Sequence, residues 1–152
     1  MNVSHEQFHK GFHFSTDKAL LDLPYIHAFL SERSYWAIGV PLEIVKRSVE
    51  NSISIGIYEN KKQVGFARVV TDLATFGYLA DVFIDEAYRG KGLSKALVAF
   101  IFSFEELKFL RRFILATKDA HSLYAKYGFN PLKSPERFME IARPDIYKQF
   151  AS

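Results

Sequence analysis

Apolar and polar residues alternate early in the chain: Phe12 and Phe14 are interleaved with His13 and Ser15, which predicts a first strand over residues 11–16. Pro24 suits a first helical turn, and residues 25–32 continue with an amphipathic helical pattern. A polar and aromatic connection over 31–40 holds Tyr35, Trp36 and Gly39, and Pro41 then opens a second helix with Leu42, Val45 and Val49 on one face. Ile53, Ile55 and Ile57 alternate with small residues, and the turn Glu59-Asn60-Lys61-Lys62 leads into 64–70, a predicted hairpin. Residues 76–84 are nearly all apolar, interrupted by Asp81, as expected of a central strand covered on both faces. Leu93, Leu97, Val98 and Ile101 mark a helix of about three turns. A short strand at 113–116, a short helix at 119–127, a strand from Phe129 and a last strand at 137–141 complete the predicted order.

Composition narrows the class. At 152 residues the chain suits a single domain, 1–152, and 49% hydrophobic content with fifteen Phe is ample for a core. Without cysteine there is no disulfide, thiolate metal site or cysteine acyl-enzyme. The first eighteen residues lack the apolar centre of a signal peptide, and no run is long enough to span a membrane, so a cytoplasmic address is expected. The net charge of +3 is spread over both signs, with no basic stripe of the kind a nucleic-acid surface needs.

The chemistry concentrates after the central strand. Arg89-Gly90-Lys91-Gly92 turns directly into the helix that begins Leu93-Ser94. Two glycines let the backbone approach a ligand, and the helix start leaves N–H groups without intrahelical partners, a combination suited to phosphate. A tight strand-to-helix turn with solvated basic residues accounts for the same letters. A dinucleotide fingerprint would need glycine where Lys95 stands, and the Gly-Lys-Ser/Thr of a nucleotide-triphosphate loop is absent.

A second segment lies downstream, Ala120-His121-Ser122-Leu123-Tyr124-Ala125-Lys126-Tyr127-Gly128-Phe129. The first segment resembles the acetyl-CoA pyrophosphate loop of the GNAT superfamily of N-acetyltransferases, an Arg or Gln, two residues, Gly, one residue, then Gly or Ala, read here as Arg89, Gly92 and Ser94. The second resembles that family's short helix of Tyr, three residues, then Gly-Phe. The resemblance covers roughly the last half of the chain. It implies an α/β fold of the GNAT type, a central mixed sheet whose fourth and fifth strands splay apart to admit the pantetheine arm.

Further expectations follow from the resemblance. It implies transfer of an acetyl group from acetyl-CoA to a primary amine of a small molecule or peptide in a ternary complex. A bulge before the glycine loop would offer backbone N–H groups of Val82, Phe83 and Ile84 to acetyl oxygen and pantetheine. Arg89, Gly90, Lys91, Gly92, Leu93 and Ser94 would hold pyrophosphate, and Thr117 stands where many members carry an Asn that reaches the pantetheine amide. Tyr124 would protonate the departing sulfur, since a phenol with a pKa of about 10 stays protonated at neutral pH. The acceptor walls would come from Tyr35, Trp36, Glu43 and Asp72, with Tyr78 at a place where some members carry a carboxylate. A homodimer is compatible with the family.

Asp81 has two readings. A lone carboxylate in an apolar strand costs energy unless paired or used, so it serves either as the base that receives the amine proton or as a cap on nearby donors. His5-Glu6-Gln7-Phe8-His9 matches a zinc-protease pattern in letters, but Gly11 and the alternating residues that follow deny it a helix, and no metal is expected. A non-catalytic acyl-CoA-binding module is the alternative to the enzyme.

Overall fold

The computed structural model describes residues 3–151. Among them, six strands form one sheet in chain order: β1 (Glu6–His9), β2 (Phe12–Ser15), β3 (Ile53–Glu59), β4 (Lys62–Thr71), β5 (Phe76–Ile84) and β6 (Arg112–Leu115). β1 to β5 pair antiparallel, and β6 joins β5 in parallel. The helices are α1 (Leu23–Ala28), α2 (Leu42–Glu50), α3 (Leu93–Phe102) and α4 (His121–Ala125). No helix of the described residues is long and apolar enough to cross a membrane.

The expected mixed sheet is present, shifted by one strand because β1 precedes the strand the pattern predicts. Lys10 and Gly11, both at positive φ (49° and 84°), make the two-residue turn that folds β1 back on β2. The Glu6–His9 segment is therefore extended. Residues four apart on a strand stand about 13 Å from each other, so His5 and His9 lack the helical geometry of the zinc motif. The His5 ring instead stacks on Phe104 at 4.2 Å and shares a hydrogen bond with Glu106 at 2.8 Å.

Both faces of the sheet are covered. On one, Phe14, Ile55, Val64, Ala67 and Leu79 meet Leu97, Phe100 and Ile101 of α3. On the other, Phe66 and Phe83 meet Ile26 of α1 and Val45 and Val49 of α2. Leu79 and Ile84 share a core although they lie five residues apart, a spacing that would put them on opposite faces of a regular strand. A bulge removes the conflict: Arg68 pairs with Ala80 and Phe66 with Phe83, so Asp81 and Val82 together oppose Ala67.

Two predicted strands are not strands. Phe129 is a point contact, with its ring 5.5 Å from Phe113 and 5.9 Å from Tyr124, and Pro131 and Pro135 then remove backbone donors that a ladder needs. Residues 137–141 follow a 3₁₀ turn (Pro135–Arg137) and carry no strand pairing, with Met139 97% exposed. β5 is also less enclosed than expected, because β6 pairs only with residues 76–79. Beyond Leu79 the two strands part, leaving Asp81 and Val82 half-buried.

Candidate active site

The gap between β5 and β6 opens into a cleft of about 870 Å³. Its lining runs from Arg89 and Ser94 at one end, past Val82, Phe83, Ile84 and Tyr124, to Tyr35, Trp36, Tyr78 and Lys118 at the other. The structure thus brings most of the residues singled out in the sequence to one site.

The glycine loop begins where β5 ends. Asp85 caps the turn by accepting from Ala87 N at 3.2 Å, and Arg33, at the end of the wide π-helical turn Phe29–Arg33, reaches Asp85 and Glu86 at 3.7 and 3.3 Å. Gly90 and Gly92 have φ of 80° and 76°. A Cβ built on either would meet nothing within 4 Å, so the protein's own packing does not demand glycine there. Backbone conformation does, and the empty space is what a ligand approaching the backbone requires. Arg89 Nε donates to Ile84 O at 3.3 Å, while Lys91 Nζ lies 5.9 Å from the Tyr88 ring. Leu93 is buried in the core beneath α3 and has only its backbone to offer.

In the bulge, Asp81 sits at φ 53°, an unfavourable conformation for a residue with a Cβ. Both carboxylate oxygens accept a bond, Oδ2 from Arg68 Nε at 2.6 Å and Oδ1 from Trp36 Nε1 at 2.8 Å. Both side chains of the ion pair are largely buried, at 11% exposure for Asp81 and 18% for Arg68. These donors are side chains, which corrects the reading of Asp81 as a cap on nearby backbone donors. Through them the carboxylate ties the bulge and the α1–α2 connection to β4.

Tyr124 lies on α4, buried, and no partner is found for its hydroxyl among the described residues. Burial raises its pKa, and the neighbouring Tyr35 and Asp119 push it the same way. The helix closes behind it as the tyrosine-to-glycine spacing implies, with Gly128 at φ 95° and Phe129 N donating to Tyr124 O at 3.3 Å. Thr117 Oγ1 accepts from Ala120 N at 3.0 Å at the start of this segment.

The connection between α1 and α2 straddles the gap. Trp36 holds the β5 side through Asp81, and the Tyr35 hydroxyl accepts from Lys118 N at 3.2 Å on the β6 side. Asp72 and Glu43 do not line the cleft. Asp72 lies in the β4–β5 turn, where it accepts from the Thr75 hydroxyl at 2.7 Å and from the N–H groups of Thr75, Ala74 and Phe76, and these bonds hold its pKa well below the usual carboxylate range. It belongs to the other end of β5.

Arg68, Ser48 and Tyr147 are among the lining residues that the sequence reading did not single out. Arg68 and Asp81 are opposite charges, each interrupting an apolar strand of one hairpin, and counting back from the turn would have set them near each other. Ser48, on α2, shows no such signal. Tyr147 arrives from the C-terminal turn Ile146–Phe150 and packs on the α1–α2 connection, its Cβ 3.9 Å from the place a Cβ of Gly39 would occupy.

Comparison with known proteins agrees with this geometry. Residues 50–131 match the family model of the acetyltransferase (GNAT) domain. A protein of Gibberella zeae assigned as an acetyltransferase, FG08082, is 31% identical over 132 residues, 74% of this chain and 75% of its own. A crystal structure from Xanthomonas campestris pv. campestris, assigned to the GNAT family, superposes with a TM-score of 0.88 at 47% identity, covering 90% of this chain and 96% of that one. An acetyltransferase from Clostridium acetobutylicum, solved with acetyl-CoA, shares the fold at TM-score 0.58 and 15% identity, covering 86% and 94% of the two chains.

Proposed function

Because the chain belongs to the GNAT acetyltransferase family, we propose that it transfers an acetyl group from acetyl-CoA to the primary amine of a small molecule or peptide, both substrates being bound together. The observation that carries this reading is the Tyr124 hydroxyl, which has no hydrogen-bond partner among the described residues and lines the same cleft as Arg89, Ser94 and the bulge residues Asp81 and Val82.

The cleft fits the cosubstrate. Backbone N–H groups around Gly90 and Gly92, with Arg89, Lys91 and Ser94, would hold pyrophosphate, and no Cβ fills the space over the two glycines. Val82, Phe83 and Ile84 need supply only backbone, since their side chains serve packing, with the Phe83 ring stacked on Phe29 at 3.8 Å. Thr117 stands further along the same wall, its hydroxyl proton still free to be donated. Acetyl-CoA, once bound, supplies an activated acyl group on sulfur. The protein's part is to orient that group on the bulge, exclude water, and deliver a proton from Tyr124 Oη as sulfur departs.

No protein base is assigned. Asp81 is committed to Arg68 and Trp36, so the acceptor amine loses its proton to solvent. kcat/KM then rises about tenfold per pH unit below the amine's own pKa. Because the phenol's pKa is raised, no falling limb appears below about pH 10. Asp81→Asn should leave the shape of that profile unchanged and lower stability by about 2–4 kcal/mol, the penalty for leaving a mostly buried Arg68 without its counterion. pH–rate curves and urea melts on the same variant test this reading; a rising limb displaced to higher pH at unchanged stability would restore Asp81 as the base.

A further inference from the structure

The acceptor end of the cleft carries a guanidinium with donors to spare. Arg68 has five N–H donors. Nε is given to Asp81 and one bond of Nη1 to Ser52 Oγ at 3.1 Å, while Nη2 has no acceptor among the described residues. Ser52 Oγ passes its own proton to Ser48 O at 2.7 Å, so the group on that side is already satisfied. Arg68 is tied to the bulge through Asp81, lines the cleft, and is mostly buried.

The anionic groups nearby do not balance those donors. Asp81 has both oxygens engaged, and Asp119, also on the lining, is solvent-exposed at the mouth beside Lys118. A polyamine would need free carboxylates to receive its remote charges, and the floor of the cleft offers none. A planar fork with an unused N–H pair matches a carboxylate, and such charge-assisted bonds are about twice as strong as neutral ones. Tyr35, Trp36, Tyr78 and Tyr147 supply apolar walls around it.

Building on the acetyltransferase reading, we infer that the acceptor is a small amine bearing its own carboxylate, a free amino acid in chemical class, and that Arg68 Nη2 is the group that recognises it. Arg68 is a specificity residue here, with Asp81 fixing its orientation. A peptide N-terminus, whose nearest carbonyl is an amide, and a polyamine are both disfavoured.

Trp36 is the sole tryptophan, lines the cleft and donates to the same Asp81, so its fluorescence reports binding without turnover. CoA-saturated protein is titrated with each of the twenty amino acids and, separately, with its carboxamide. At least one free amino acid should bind about tenfold or more tighter than its carboxamide. Arg68→Lys, which keeps a cation beside Asp81 but loses the fork, should bring that ratio close to one while the thermal shift with CoA persists. Carboxamides that bind as tightly as the acids, or no fluorescence response to any acid, would overturn the inference. In the first case turnover of the amides leaves the acetyltransferase reading standing; absence of acetyl transfer to any amine would remove that reading too.

Discussion

Replacing Tyr124 by phenylalanine should lower kcat by about 10²–10⁴ while leaving acetyl-CoA affinity and melting temperature nearly unchanged. The structure separates these effects. The ring packs against Phe129 and the core around α3, and phenylalanine keeps all of that. With no protein partner found for the hydroxyl, its removal breaks no internal hydrogen bond. What is lost is a proton donor needed only as the carbon–sulfur bond breaks, and an interaction confined to the transition state appears in kcat and not in binding. A role in packing alone would give the opposite result, with a lowered melting temperature and turnover reduced only in proportion. Single-turnover rates beside a binding titration distinguish the two.

The second large effect is expected at Gly92. Valine there must adopt φ near 76°, which costs a β-branched residue about 1–3 kcal/mol, and its side chain would enter the space where pyrophosphate meets the backbone. CoA affinity should fall by about a hundredfold or more, the consequence of roughly 3 kcal/mol lost in the complex. Gly11→Val is the matched control. Gly11 has φ 84° and equally open surroundings, but it lies in the β1–β2 turn. Both variants should lose similar stability, and only Gly92→Val should lose the rise in melting temperature with CoA, about 5–10 °C for wild type at a hundredfold excess over Kd. Equal loss of CoA binding in both would mean that general destabilisation explains Gly92.

What the sequence disclosed and what it hid follow one physical division. The glycine turn, the bulge strand and the short helix of Tyr124 were legible as local structure because they rest on backbone conformation or on helical spacing over a few residues. Gly90, Gly92 and Gly128 all have the positive φ that their positions demand. β1 was hidden because the apolar residue of Glu6–His9, Phe8, faces solvent at 75% exposure, so alternation there carries no inward signal. Strands were expected after Phe129 because aromatic and apolar residues recur there, but Pro131 and Pro135 override propensity, and Met139 and Ile141 stay exposed. Asp72 was expected at the acceptor wall because the family resemblance puts the turn between these strands there; its carboxylate accepts from the Thr75 hydroxyl and from the N–H groups of Thr75, Ala74 and Phe76 and does not line the cleft.

The role of Asp81 was the hardest to read. Its partners lie 13 and 45 residues away, on β4 and on the α1–α2 connection, and only the assembled sheet brings them together. From sequence a carboxylate at the bulge invites a catalytic part. The folded chain gives it two side-chain donors and a positive φ, none of which its local sequence signals. Lys118 and Tyr35 meet on the opposite lip by the same kind of long-range closure.

The central claim is acetyl transfer within this cleft, and the most direct measurement follows both products at once: free thiol released from acetyl-CoA and acetylated amine formed, in one reaction over a panel of amino acids and simple amines. The account predicts that, for at least one amine, thiol and acetylated product appear in equal amounts, and that both fall together by about 10²–10⁴ in Tyr124→Phe. Tight CoA binding with no acetylated product from any amine, or thiol release that ignores the amine and survives Tyr124→Phe, would contradict it.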